Sequence, residues 1–294
     1  MNQPNSASAE ISNTYLLSIL RQRQFLKSPI LNPHEYGYYH NPEVTCLVDK
    51  TEILFVVPSA PDNFYRRKLV RESPLNNWVK GYRSDLNIQR HADDYEDKPI
   101  RASLLFFVAF PRFVGTATHD VQKLVNAEAR QNRDIVQSDF IDIYHNVRLK
   151  HVMMLKWAAT YCSNATYVIR VDDDALVDPD QIVRTIYKIG RNHKNFVLGN
   201  IKTGYDVYRG AEEDPNKSKY AVSYGEYSGS KWPPFALGGL LGYPVVTVRL
   251  LYEASLRVKA VWLDDVYITG ICARAVNVTL LDHPRFTFKH TFPD

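Results

Sequence analysis

No stretch of the sequence approaches the roughly 18 consecutive apolar residues of a membrane span; the longest apolar runs are Ile53–Val57 and Leu104–Phe110. The polar start, MNQPNSASAE, has neither the basic nor the apolar region of a secretory signal, so the chain as written reads as soluble. Cysteine is scarce. Cys46, Cys162 and Cys272 form no metal cluster and no CxxC pair, and they allow one disulfide with one thiol left over. An excess of one charge is also missing: 36 Lys and Arg against 32 Asp and Glu leave +4, too small and too scattered to argue for nucleic acid. Internal repeats, low-complexity tracts and an interdomain linker are absent as well, which favours one large domain over two small ones.

What is present fits a globular fold. Apolar residues make up 45% of the 294 positions and charged residues 23%, which excludes disorder. Residues 1–50 carry little pattern beyond an amphipathic segment at Tyr15–Leu26 and an extended Pro/Tyr/His-rich stretch at Pro29–Pro42. Beyond them, β-branched and aromatic runs at Ile53–Val57, Leu104–Val108, Tyr167–Val171 and Phe196–Leu198 alternate with helical-period segments around Val121–Glu128, Val147–Ala159 and Ile182–Ile189. Further helices are expected at Val245–Leu256 and after Asp265, and a strand at Val278–Leu281. Strands alternating with helices predict an α/β sheet covered on both faces. Residues 202–235 lack periodicity and read as a long loop region or short hairpins; loops that long inside a compact domain are usually functional.

The sharpest chemical feature is an apolar strand, Tyr167–Val171, running directly into Asp172, Asp173 and Asp174. In open α/β sheets ligands bind at the carboxyl ends of strands. If the strand continues, Asp172 and Asp174 point the same way and offer two carboxylates to Mg²⁺ or Mn²⁺, whose other ligands would be water and substrate phosphates. A solvated acidic turn, with Asp178 or Asp180 capping the next helix, reads the same residues blandly. A calcium loop is excluded, because Val177 and Val183 stand where it needs Gly and Glu.

A second acidic pair, Asp264-Asp265, either serves a helix dipole or supplies a general base. Trp232-Pro-Pro-Phe235, followed by Gly238-Gly239, is a stiff turn or a place of close backbone approach to a ligand. Arg66, Arg67 and Arg71 lie in a helix after the first strong strand, where they suit a pyrophosphate or simply an exposed face. His290 is a metal-ligand candidate by residue type.

In order, these segments resemble glycosyltransferase family 31, the β-1,3-galactosyl- and β-1,3-N-acetylglucosaminyltransferases with their fringe-like relatives. The resemblance covers about residues 53–290 and rests on five motifs. The first is Ser59-Ala-Pro61 with Arg66-Arg67 and Val70-Arg71. The second comprises Glu128, Asp134-Ile135, Asp139-Phe140, Asp142, Tyr144, Asn146 and Lys150. The third runs from Trp157, Cys162, Ala165 and Tyr167 to Asp172–Asp174. The others are Trp232-Pro-Pro-Phe235 with Gly238, and Asp264-Asp-Val-Tyr267 with Gly270 and Cys272.

The chain departs from the family at Pro74-Leu75 (a Trp in relatives), Ala236 (a Cys), Leu240 and Leu241 (a Gly and an aromatic), Arg148 (a Thr) and Asp264 (a Glu). The resemblance implies a GT-A fold, a Rossmann-like mixed sheet with helices on both faces, spanning 51–294 behind a stem-like extension at 1–50. It implies an inverting β-1,3-glycosyltransferase that moves galactose or N-acetylhexosamine from a UDP-sugar to a glycan acceptor on a glycoprotein or glycolipid. By the same match Asp174 would hold Mn²⁺ or Mg²⁺, with His290 nearby. Asp172 and Asp173, with Arg66 and Arg71, would face the nucleotide, and Asp265 would be the base.

Family members are type II Golgi proteins. The sequence shows no anchor, so a truncated lumenal domain is favoured over a soluble member, with membrane association only through the missing anchor. A lumenal setting would make the sequons at Asn164, Asn216 and Asn277 usable and allow a Cys46–Cys162 disulfide. Two other readings compete: a non-catalytic UDP-sugar- or glycan-binding module or chaperone, and a metal-dependent phosphohydrolase or nucleotidyltransferase built on the same carboxylates.

Overall fold

The computed structural model describes residues 19–48, 51–81, 100–112, 117–210, 219–287 and 290–292. The strands are β1 (Tyr38–His40), β2 (Ile53–Pro58), β3 (Ala102–Pro111), β4 (Ile135–Asp142), β5 (Tyr167–Val171), β6 (Ala175–Leu176), β7 (Phe196–Lys202), β8 (Phe235–Pro244), β9 (Thr279–Asp282) and β10 (His290–Thr291). The longer helices are α1 (Phe64–Glu72), α2 (Pro74–Lys80), α3 (Ala117–Asn132), α4 (Val147–Tyr161), α5 (Pro179–Gly190) and α6 (Val245–Ser255), and a π-helix covers Asp265–Cys272.

Eight strands form one mixed sheet in the order β1-β4-β3-β2-β5-β8-β7-β9. β2 pairs in parallel with β3 and β5, whereas β8 runs antiparallel to both β5 and β7. Side-chain alternation along β2 divides the core into two layers. Leu54 and Val56 pack with α4 and α6 on one face; Ile53, Phe55 and Val57 pack with α1, α2 and α5 on the other. This is the expected α/β sheet with helices on both faces.

Besides the short β1, β6 and β10, two long strands escape the sequence pattern. β4 carries Gln137 and Ser138 at buried positions, where Gln137 is satisfied by Ala109 O and Gln122. β8 contains Gly238, Gly239 and Gly242, which depress strand propensity. The departures at Leu240 and Leu241 fall in β8, and both side chains are buried in opposite core layers. Ala236 is likewise buried, and Cys272 is a buried free thiol. These substitutions therefore sit at packing positions.

The expected extension at 1–50 is already part of the sheet where β1 pairs with β4, with Tyr38 opposite Ser138. Cys46 and Cys162 form a disulfide across 116 residues, tying this segment to the end of α4. Replacing both cysteines by Ser should lower unfolding stability by about 2–4 kcal/mol, because the unfolded chain regains the entropy of a long loop. Chemical denaturation under non-reducing conditions measures that loss. Among the described residues no helix is long and apolar enough to cross a membrane.

Candidate active site

β5 ends at Val171, and Asp172–Asp174 turn instead of extending it. The expectation that Asp172 and Asp174 point the same way along a continuing strand is thus corrected: the turn sends each carboxylate to different surroundings. Gly239, held at φ 89°, receives the Asp172 N–H on its carbonyl at 2.8 Å. The Asp172 Oδ1 accepts from Arg170 Nε and Nη2, each at 3.2 Å. Asp173 Oδ2 accepts from Ser59 Oγ at 2.6 Å and Asn63 Nδ2 at 3.2 Å. Burial, helped by Asp172 and Asp174, raises the Asp173 pKa against those two donors. The Asp174 carboxylate makes no hydrogen bond or ion pair with another described residue.

β10 lies against this turn. Phe292 N donates to Asp174 O at 3.0 Å, and His290 pairs with Leu176 across the β10–β6 ladder. The His290 main chain is therefore beside the acidic turn; its side chain lies outside the described residues. Arg66 reaches the same segment, with Nη1 donating to Phe292 O at 3.4 Å.

Arg71 is not brought to the aspartates. It pairs with Asp134 at 2.8 Å and Glu128 at 2.6 Å. Arg67 on the buried face of α1 connects to them through Ser59: it shares Glu128 and donates to Ser59 Oγ at 3.1 Å and Pro61 O at 3.0 Å, and Ser59 Oγ in turn donates to Asp173. The helical pattern held the clue, since Arg67 and Val70 share the inward face of α1. Asp178 and Asp180 belong to the scaffold. Asp178 caps α5 by accepting from Gln181 N at 3.1 Å, and Asp180 accepts from the buried Trp78 at 2.7 Å.

A cavity of about 520 Å³ opens at the carboxyl ends of β2, β3 and β4, beside Ser59. Ala60, Pro61, Asp142, Tyr144 and Lys150 line it. Lys150 Nζ bridges Ser59 O and Asp142, both at 2.7 Å, and so fixes the loop that carries Ser59.

Among the described residues no three His, Cys, Asp or Glu are grouped to hold a metal by themselves. The Asp174 carboxylate, without a partner among the described residues, and the second oxygen of Asp172 at a ligand-binding strand end nevertheless fit a hard ion. Mg²⁺ or Mn²⁺ commonly uses one or two carboxylates and completes its shell with water and phosphates.

The second acidic pair is joined to the first by Arg170. This buried guanidinium donates to Asp264 Oδ2 at 2.7 Å while holding Asp172, and its Nη1 lies 3.8 Å from Asp265 Oδ1. His151, also buried, stands 3.3 Å from Asp264, and burial and Arg170 hold its pKa down. Arg170 and His151 keep Asp264 ionised well below the usual carboxylate range despite burial. Asp265 moves the other way. Burial and the Asp264 charge raise it to about 8, against Arg170 and the Gly238 N–H, which donates to Oδ2 at 2.7 Å.

Asp265 Oδ1 is buried without a hydrogen-bond partner, yet 25% of the side chain stays accessible to a ligand. A Cβ at Gly238 would lie 2.8 Å from that oxygen, so glycine is needed there for the approach of β8 to Asp265 rather than to a ligand. Two neighbouring carboxylates with pKa values pushed apart are a recurring sign of divided acid–base roles.

Sequence reasoning overlooked Arg170 and His151. Arg170 had a signal, because a charge inside an otherwise apolar buried strand must be paired. His151 falls on the helical period of α4 and looks like any core position.

The sequence model of the Galactosyltransferase family matches residues 90–284. Human beta-1,3-galactosyltransferase 1 is 27% identical over 248 residues, covering 84% of this chain and 68% of the relative. Human lactosylceramide 1,3-N-acetyl-beta-D-glucosaminyltransferase is 28% identical over 262 residues, covering 88% of this chain and 63% of the relative. Among solved structures, a Pyrobaculum calidifontis mannosyltransferase in complex with GDP-Man and Mn²⁺ aligns with 98% of this chain and 67% of its own at 14% identity and a TM-score of 0.35.

Proposed function

Because the chain belongs to the galactosyltransferase family, glycosyltransferase family 31, and is a hexosyltransferase by that membership, we propose that it is an inverting β-1,3-glycosyltransferase. It transfers galactose or an N-acetylhexosamine from a UDP-sugar to a glycan hydroxyl, with Asp265 as general base. One observation supports this above the others: Arg170, in β5, ties Asp172 at the acidic turn to Asp264 and Asp265 at the start of the π-helix. The acidic turn and a carboxylate with spare acceptor capacity are therefore held together by one buried guanidinium. A phosphohydrolase built on the same carboxylates would leave the family match over residues 90–284 without an account.

In this reading Asp265 takes the proton from the acceptor hydroxyl as its oxygen attacks the anomeric carbon from the face opposite the leaving UDP. Gly238 N–H holds one Asp265 oxygen in place, and the Asp264 charge favours arrival of the proton. Asp174, with Asp172, would hold Mn²⁺ or Mg²⁺, which neutralises charge developing on the diphosphate. Asp173 is fixed by Ser59 and Asn63 and shapes the loop that borders the cavity. Arg66 would neutralise phosphate charge from the β10 side, and His290 would join the ion there. Arg71 acts at one remove, steadying Arg67 through Glu128. Aligning donor and acceptor supplies much of the remaining acceleration.

A Golgi lumenal setting belongs to the same proposal. It agrees with the Cys46–Cys162 disulfide, and it would expose the sequons at Asn164 and Asn277, both on the surface, to glycosylation. Asn216 lies outside the described residues.

The test is thermal stabilisation by UDP with and without Mn²⁺. A specific site at a hundred- to thousandfold excess over Kd should add about 2–4 kcal/mol. Asp174→Ala should lose the Mn²⁺-dependent part. No shift in well-folded wild-type protein would remove the donor site and favour a non-catalytic glycan-binding member.

A further inference from the structure

An aromatic cluster beside Asp265 is not used by the chemistry above. Tyr144 and His145 follow β4; Tyr220 and Trp262 come from distant parts of the chain. The Tyr144 and Trp262 rings lie 5.5 Å apart, and His145 and Trp262 lie 4.8 Å apart. Trp262 is anchored by its Nε1–H to Ala221 O at 3.1 Å, and Tyr144 is hydrogen-bonded to Tyr220. Although large and partly apolar, Tyr144 and Tyr220 keep 51% and 43% of their surface exposed. Tyr144 also lines the cavity with Ala60, Pro61 and Lys150 and feels the charges of Asp264 and Asp265. It therefore stands between the cavity and the candidate base.

We propose that the exposed Tyr144, His145 and Tyr220, backed by the buried Trp262, form the platform for the acceptor, a pyranose ring whose apolar face stacks on the exposed aromatics while a hydroxyl faces the Asp265 carboxylate. The inference rests on the base assigned to Asp265 and names what lies against it. A pyranose fits because one face presents C–H groups to the electron-rich ring faces, and its rim presents hydroxyls. The cluster supplies both partners, ring faces together with two phenol groups and an imidazole. A lipid chain would leave those polar groups unmatched.

Saturation-transfer NMR on the full chain, with UDP and Mn²⁺ present, tests this. The probes are lactose and the methyl β-glycosides of galactose, glucose, N-acetylglucosamine and N-acetylgalactosamine. At least one probe should receive saturation at its ring C–H protons. Tyr220→Ala should weaken that probe about tenfold, the equivalent of 1.4 kcal/mol, while Tyr220→Phe, which keeps the ring, should stay within about threefold. The UDP-dependent thermal shift should be the same in all three proteins.

Failure of every probe to bind wild-type protein would overturn the platform, as would equal binding by wild type and Tyr220→Ala. A missing UDP shift with Tyr220-dependent sugar binding would leave the platform standing and remove the transferase reading instead.

Discussion

Asp265→Asn is expected to lower turnover by about two to four orders of magnitude, the usual contribution of a positioned general base. The substitution keeps shape and the ability to accept from Gly238 N–H, so UDP and Mn²⁺ should stabilise the variant as they do wild type. The same carboxylate sets a pH dependence. Burial and Asp264 raise it to about 8, and a base works only when ionised. Wild-type kcat/KM should therefore climb about tenfold per pH unit up to that value and level off above it. An acid limb that persists unchanged in Asp265→Asn would assign the titration elsewhere.

The largest effect on stability is expected at Arg170. Arg170→Met removes the cation that Asp172 and Asp264 share, in a site where the Arg170 side chain is 7% and the Asp264 side chain 14% exposed. Leaving buried charge unpaired costs about 3–5 kcal/mol. The sign with pH follows from Asp264, whose folded pKa is depressed. The stability it supplies is present above the ordinary carboxylate range and is lost as pH falls through the folded value. The gap between wild type and Arg170→Met in urea denaturation should thus be widest near neutrality and narrow in acid. Adding Asp264→Asn to the variant should recover part of the loss, because the two residues are coupled by direct contact.

Much of this architecture was legible in the sequence because it follows from periodicity. β2, β3, β5 and β7 are apolar runs, and α3, α4, α5 and α6 repeat at helical spacing, so pattern alone locates them. The acidic turn and Asp265 were visible as residue types in suggestive places. What pattern could not supply was partnership. β8 disguises itself with glycines that two different contacts require: Gly239 at a left-handed φ beside Asp172, and Gly238 against Asp265. β4 hides polar side chains in the core by satisfying them internally.

The arginines of α1 illustrate the same limit. Arg66, Arg67 and Arg71 are equivalent as letters, and only the direction each takes from the helix separates Arg67 beside Ser59 from Arg71 beside Asp134. Arg170 lay in plain view within the strand leading to the aspartates. Its meaning depends on Asp264, 94 residues further on, which no local reading joins to it.

The most direct measurement of the central claim is the anomeric configuration of the product. Purified chain, Mn²⁺, an α-linked UDP-sugar (UDP-galactose, UDP-N-acetylglucosamine or UDP-N-acetylgalactosamine) and a panel of glycan acceptors would be incubated, and the new linkage read by NMR. Transfer to a β-linked product with one donor, absent in Asp265→Asn, is the expected result. An α-linked product, or UDP release that ignores every acceptor and survives Asp265→Asn, would contradict the assignment of Asp265 as the base of an inverting transfer.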